Sequence, residues 1–449
     1  MIDVSLEDFQ KAIDKSYWYH IRKKTLLPYE GDLPKSEFLE DLHEKVVSGA
    51  YFVSSPRAFI VQSKQQRIAR VVPVLGLEDY CVYYFCIKQL EEHLAINRVP
   101  NTYGGFSLGG LIRESEEAEI EAIIADTPSS PTRAYNRFGW VQSWSDYQAK
   151  AWWCANNTDS TQFLALDIAN FYDTIDLDKL EAKIRHAVPR EKNQIVNLLF
   201  SFLKNWNRKI YGYGHQSKGI PQDEVGDCSR ILANFFLQSY DSKIYEYCNE
   251  NEITYLRYAD DQIFMSESQD KNLKALYEAS ILLHREGLNI NAAKVKEYTE
   301  ETFSRYWAFE IFSKLKDKTV RSDVLAGIAQ YLEWCEDVRG RESFRADSVL
   351  SCILSVGISD APQSHRHKLL AECLEDEYLL EANSYRFKQI FEIATDADRP
   401  EIISHLMSLS SKTRFCSYLY ELLDLHRKEN VFTPEQVQQI DARIMELAL

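Results

Sequence analysis

Residues 254–266 read TYLRYADDQIFMS, the stretch that most restricts what this chain can fold into. Two short runs of β-forming residues flank Ala259-Asp260-Asp261, the pattern of a hairpin with paired acids at its turn. Adjacent carboxylates at a strand tip repel each other, and burying them is costly unless they are paired or bind metal. Taken alone, such a pair is an ordinary turn dipeptide. A second stretch, FLALDIANFYDTID at 163–176, holds a further acid. Its apolar run ends at Asp167, so a third carboxylate sits where a buried strand emerges. On a strand beside the hairpin, it would complete a cage of hard oxygen ligands suited to two Mg²⁺ ions. Ions about 4 Å apart can activate an attacking hydroxyl and stabilise a leaving pyrophosphate.

The chain has 449 residues, which predicts two to four domain-sized units. At 45% hydrophobic and 12% aromatic residues it can bury a large core, which excludes a disordered protein. The net charge of −16 argues against a general coater of nucleic acid, because phosphate binding draws on lysine and arginine. Nine scattered cysteines without a C-x-x-C pair fit reduced thiols better than disulfides or a zinc site. His365 and His367 form a lone H-x-H, read as a solvated surface pair. The start Met1-Ile2-Asp3 is not that of a signal peptide, and no apolar run is long enough to span a membrane.

Residues 1–50 are expected to be mostly helical, broken near Pro28 and Pro34. Residues 51–75 predict two strands joined by a polar turn at Ser63–Gln66, with Arg57, Lys64, Arg67 and Arg70 forming a local basic patch. A helix with an aromatic face of Tyr80, Tyr83, Tyr84 and Phe85 is expected over 77–97. The Gly-rich YGGFSLGG at 103–110 lacks the Gly-Lys-Ser/Thr of a P-loop and reads as a flexible loop. TPSSPTR at 127–133 is the best linker signal. An aromatic-rich helix follows, with Trp140, Trp144, Trp152 and Trp153, a spacing that points to core packing before base stacking. From about 313 the pattern is helical to the end, and Asp176 and Thr433 are placed to cap helices starting at the next residue. Residues 321–449 hold 22 acids against 14 lysines and arginines, so about half of the excess negative charge lies there.

Four motifs in register resemble those of reverse transcriptases. Tyr258-Ala259-Asp260-Asp261 looks like their Y-x-D-D box, and Asp167 with Phe171-Tyr172 looks like the first palm motif. SKGIPQDEVGDCSRILANFFL (217–237) resembles the motif between them, and GLNINAAKVK (287–296) the element after the hairpin. The resemblance spans roughly 145–310. It implies an α+β right-hand polymerase of fingers, palm and thumb, with an antiparallel palm sheet and an all-α C-terminal region. The domains expected are 1–160 (N-terminal helices and fingers), 161–312 (palm) and 313–449 (thumb and C-terminal helices).

The resemblance also implies roles. Asp167, Asp260 and Asp261 would bind two Mg²⁺ ions, with Mn²⁺ as an alternative, helped by the carbonyl of Ile168. Tyr172 would lie under the sugar of the incoming dNTP and exclude a 2′-hydroxyl. Gln222 and Lys294 would lie at the nucleotide, and Lys64 with Arg67 or Arg70 would grip its triphosphate. The family usually has glycine directly after Pro-Gln; here Asp223-Glu224 follow. Either this loop bulges and turns its acids to solvent, or Asp223 or Glu224 contacts bases or template, as carboxylates can accept from cytosine N4.

The chain looks most like bacterial defence-associated reverse transcriptases of the unknown-group and abortive-infection types. That likeness implies a cytoplasmic RNA-directed DNA polymerase in antiphage defence. Its partners would be a specific non-coding RNA, dNTPs and the DNA product, and either a second copy or a second reverse transcriptase subunit, without a membrane. Two alternatives stand beside this expectation. One is template-independent, protein-templated or protein-primed synthesis by the same site. The other is a non-catalytic RNA-binding assembly subunit.

Overall fold

A computed structural model of the chain describes residues 4–25, 33–64, 67–94, 98–105, 108, 139–207, 219–222 and 227–447. The 127–133 linker, four residues of the Gly-rich stretch, and Asp223 and Glu224 lie outside these. The chain divides into two compact units, residues 1–57 with 73–299, and residues 58–72 with 300–449.

The first unit is built on a five-stranded sheet. Its strands are β3 (Thr102–Tyr103), β4 (Gln162–Leu166), β5 (Thr254–Tyr258), β6 (Asp261–Ser266) and β7 (Lys296–Thr299), in the order β3-β5-β6-β4-β7. The remaining strands, β1 (Ala58–Lys64) and β2 (Ile68–Val74), form a separate hairpin. The sheet from β5 to β7 is antiparallel, as expected, and β3 joins its edge in parallel. Apolar β4 and β6 are its central strands, which is where covered faces reward side chains such as Phe163, Leu164, Ile263 and Phe264. Helix Cys228–Glu250 packs on β5, and helix Gln269–Glu286 packs on β4 and β6. Helix Leu77–Leu94 buries Tyr80, Tyr83, Tyr84 and Phe85 against helices Asn193–Leu203 and Cys228–Glu250. That is the predicted aromatic face, now the centre of the unit's apolar core.

Helix Gly139–Asn157 departs in part from its expected role. Trp144 packs edge-on against Tyr258 at 4.8 Å, whereas Trp152 and Trp153 are 45% and 47% exposed. Adjacent positions on a helix point about 100° apart, so one apolar stripe cannot bury all of these rings.

The second unit is helical from Glu300 to Leu447 and carries its own apolar core. Its last helix, Pro434–Leu447, is capped by Thr433 as predicted, in a capping box: the Gln436 N–H donates to Thr433 Oγ1 and the Thr433 N–H to Gln436 Oε1. Strand β1 packs on helices Asp376–Glu381 and Cys416–Glu429, and its Val61 N–H points at Cys416 Sγ, 3.1 Å away. No helix among the described residues is long and apolar enough to cross a membrane.

Candidate active site

The β5–β6 turn takes two residues, Ala259 and Asp260, and Asp261 opens β6 opposite Tyr258. Asp260 and Asp261 therefore sit at the tip of a tight hairpin, as the sequence predicts. Strand β4 runs antiparallel to β6 with Leu166 opposite Gln262. Continuing that register by one residue sets Asp167 beside Asp261. Three acidic residues from two neighbouring strands thus stand at one end of the sheet.

Asp167 is 6% exposed, and its partners come from the segment that closes the palm. The Asn291 N–H donates to the Asp167 carbonyl at 2.8 Å, and Ile168 bridges to Ile290. Lys294 reaches in with its ammonium, 2.7 Å from Asp167 Oδ2. Burial draws the Lys294 pKa down, but the hydrogen bond and charge of Asp167, then the charges of Asp261 and Asp260, outweigh this and raise it. The lysine is held as a cation, and its charge moderates the repulsion among the acids. Tyr258 lies beside them, its hydroxyl pushed up to about 12, first by burial and then by the neighbouring acids against the pull of Arg230.

The donor set is all oxygen and strongly acidic, which fits a hard divalent cation. As the side chains stand, no three carboxylate, histidine or cysteine groups among the described residues converge on one point. Asp167 would share its carboxylate between Lys294 and an ion, with Asp260 and Asp261 supplying further oxygens.

Tyr172 is tied to this end of the sheet through its backbone. Its carbonyl accepts from the Ile220 N–H at 3.0 Å, and a Cβ on Gly219 would lie 1.8 Å from that carbonyl oxygen. Only glycine permits so close a crossing of two backbones. The Trp206 indole N–H holds the Gly219 carbonyl, and Ser229 Oγ holds that of Pro221. Gln222 follows this pinned segment. Asp176 caps helix Leu177–Ala187 by accepting from the N–H groups of Asp178 and Lys179, as predicted.

Lys64, Arg67 and Arg70 belong to the second unit. There Arg67 pairs with Asp376 at 3.6 Å. Lost hydration, with Asp347 and Glu377, raises the Glu381 carboxyl to about 7, and Arg70 and Lys64 draw it back.

Sequence reading missed a second set of residues under the tip. Arg257 is fully buried and bidentate on Asp241, and it also donates to Asn234 and to the Ala259 carbonyl. One signal was available. Arg257 has the opposite strand parity from Asp261's partner Tyr258, so a charged residue falls on the covered face and needs a buried partner.

An acidic strand-end cluster on an antiparallel sheet is the architecture of a palm-type polymerase. Residues 119–322 match the family "Reverse transcriptase (RNA-dependent DNA polymerase)", which spans all of these acids. That is the family the motifs resemble. The retron Ec83 reverse transcriptase of Escherichia coli is 33% identical over 116 residues, covering 25% of this chain and 34% of that protein. The chain therefore aligns with about a third of that relative's length. Two solved structures are also similar. Apo telomerase from Candida tropicalis lacking its C-terminal domain aligns at 14% identity and a TM-score of 0.32, over 62% of this chain and 60% of that one. Telomerase from Candida tropicalis with a fragment of telomeric RNA aligns at 13% identity and 0.36, over 95% and 69%.

Proposed function

We propose that this chain is an RNA-directed DNA polymerase that extends a primer with dNTPs. One observation carries the reading: the strand register that sets Asp167 beside Asp261, with Asp260 next to it at the turn. Asp167, Asp260 and Asp261, with the Ile168 carbonyl, would hold two Mg²⁺ ions, or Mn²⁺. Ions bound there would lower the pKa of the primer hydroxyl and offset charge on the phosphates. The primer 3′-hydroxyl gives up its proton to solvent as its oxygen bonds to the α-phosphorus of the dNTP, the bond to the bridging oxygen breaks, and pyrophosphate leaves. Lys294, hydrogen-bonded to Asp167 Oδ2, orients that carboxylate. Tyr172, fixed by its crossing with Gly219, places its ring under the sugar, and Gln222 lies beside the nucleotide. Lys64, Arg67 and Arg70 as triphosphate ligands, and Asp223 or Glu224 as base contacts, rest on sequence alone. So does the partition into fingers over 1–160, palm over 161–312 and helical thumb and C-terminal domain over 313–449.

The template we propose is a dedicated non-coding RNA, and the setting antiphage defence in a bacterial cytoplasm. The retron relative and the acidic surplus support this, since a chain of net charge −16 holds arbitrary nucleic acid poorly. The test is incorporation of labelled dNTPs by protein purified with its co-purifying RNA. Wild type should make DNA with Mg²⁺, and Asp260→Asn/Asp261→Asn should lose at least about a hundredfold to a thousandfold in rate, the scale of removing a transition-state stabiliser. Equal synthesis by both would overturn the reading. Protease-sensitive mobility of the product would instead favour protein priming.

A further inference from the structure

The β5–β6 hairpin has two faces of different character. Tyr258 and Asp261 pair on one, and Arg257 and Gln262 pair on the other, toward helix Cys228–Glu250. On that second face Arg257 is fully buried. Its Nε and Nη2 donate to the two Asp241 oxygens at 2.7 and 2.5 Å. Its Nη1 donates twice, to Asn234 Oδ1 at 2.7 Å and to the Ala259 carbonyl at 2.8 Å. Tyr255 and Gln262 close the layer through hydrogen bonds to Asp241 and Tyr240.

The Ala259 carbonyl belongs to a residue in an unusual state. Ala259 has a φ of 51°, a left-handed conformation that L-residues rarely adopt, and its N–H donates to the Tyr103 carbonyl at 3.3 Å. The tip is thus held from both sides, by β3 on its N–H and by Arg257 on its carbonyl. Asn234 extends the hold, donating to the Gly105 carbonyl at 3.0 Å. Side chains on Gly104 or Gly105 would press on Asn234 or Arg230, with Cβ contacts of 2.9 and 2.7 Å. Stability alone is a weak reason for this arrangement, because packed apolar residues often replace a buried ion pair without loss. What they cannot replace is a donor aimed at one carbonyl next to Asp260.

We propose that Arg257 is a positioning residue for the reaction: by clamping the Ala259 carbonyl it fixes the direction in which Asp260 and Asp261 leave the turn. This rests on the polymerase reading above. The clamp acts on the acids from the face opposite to the one they use, through one backbone hydrogen bond.

Two variants test it. Arg257→Met/Asp241→Leu removes the pair and the clamp together and keeps the volume apolar. Arg257→Lys keeps the charge for Asp241 and loses the planar fork that reaches Asp241, Asn234 and Ala259 at once. Each is compared with wild type by urea unfolding, by calorimetric titration with Mn²⁺ and by the Mg²⁺ dependence of dNTP incorporation. Both should remain folded, bind Mn²⁺ at least about tenfold more weakly, and need correspondingly more Mg²⁺ for half-maximal rate, the scale seen when a ligand's hydrogen-bond partner is removed. Folded variants with wild-type Mn²⁺ binding and Mg²⁺ dependence overturn the inference alone. Loss of the fold in both marks Arg257 as structural and also overturns it. A wild type that neither binds Mn²⁺ nor incorporates nucleotide overturns the polymerase reading and this inference with it.

Discussion

The palm sheet and the C-terminal helices solve the burial problem differently. Under the sheet, polar groups are taken inside and joined by directional bonds: Arg257 to Asp241, Asn234 to the Gly105 carbonyl, Tyr240 to Gln262. In the helical unit the core is aliphatic and aromatic, built from residues such as Leu350, Ile353, Leu419 and Leu422, while many of its ion pairs lie toward solvent. A fold that needs only stability can use amphipathic helices, whose apolar stripes pack without directional bonds. Side chains that must point somewhere definite need directional partners, which is what the sheet buries.

Four measurements of unfolding free energy can break or sharpen this contrast. Asp241→Ala strands the Arg257 charge inside the first unit and should cost about 3–5 kcal/mol; a loss below 1 kcal/mol would mean that the pair is not holding the hairpin. Leu422→Ala, at a fully buried position of the second unit, should cost about 2–5 kcal/mol by cavity formation, with little change when salt is raised. A marked salt dependence would show that charge also acts in that core.

Asp79 sharpens the comparison by pH. It is fully buried in the first unit, where it accepts hydrogen bonds from Tyr51 and Ser54. Burial raises its carboxyl to about 6 against the lowering effect of those bonds. The folded state then keeps a proton that the unfolded chain loses at about pH 4, so stability should fall as pH rises through that window. The fall should be about 2–3 kcal/mol, and Asp79→Asn should flatten it. The smallest effect is expected at the exposed Lys368–Glu336 pair of the second unit, where Lys368→Ala should cost less than about 1 kcal/mol.

Much of the site was legible in the sequence because its signals are local. An apolar run ending at Asp167, a hairpin pattern around Asp260-Asp261 and a capping acid at Asp176 each need only neighbouring residues to be read. Lys294 came from the family resemblance, and its contact with Asp167 spans more than a hundred positions. The buried layer beneath the tip was not read, since nothing near Asp241 in the chain reveals that it faces Arg257. The exposure of Trp152 and Trp153 was likewise invisible, because periodicity gives a helix its faces without saying which one is covered.

The sequence by itself determined the elements, the acids and the chemistry those acids can support, since strand patterning, turn residues and carboxylate charge are written in adjacent positions. Only the tertiary structure decided that β4 lies beside β6 in the register that joins three acids, that Arg257 grips the turn from behind, and that the basic 58–72 hairpin packs with the C-terminal helices. Those are matters of which surfaces meet. They depend on burial and pairing between segments far apart in the chain, which no local pattern records.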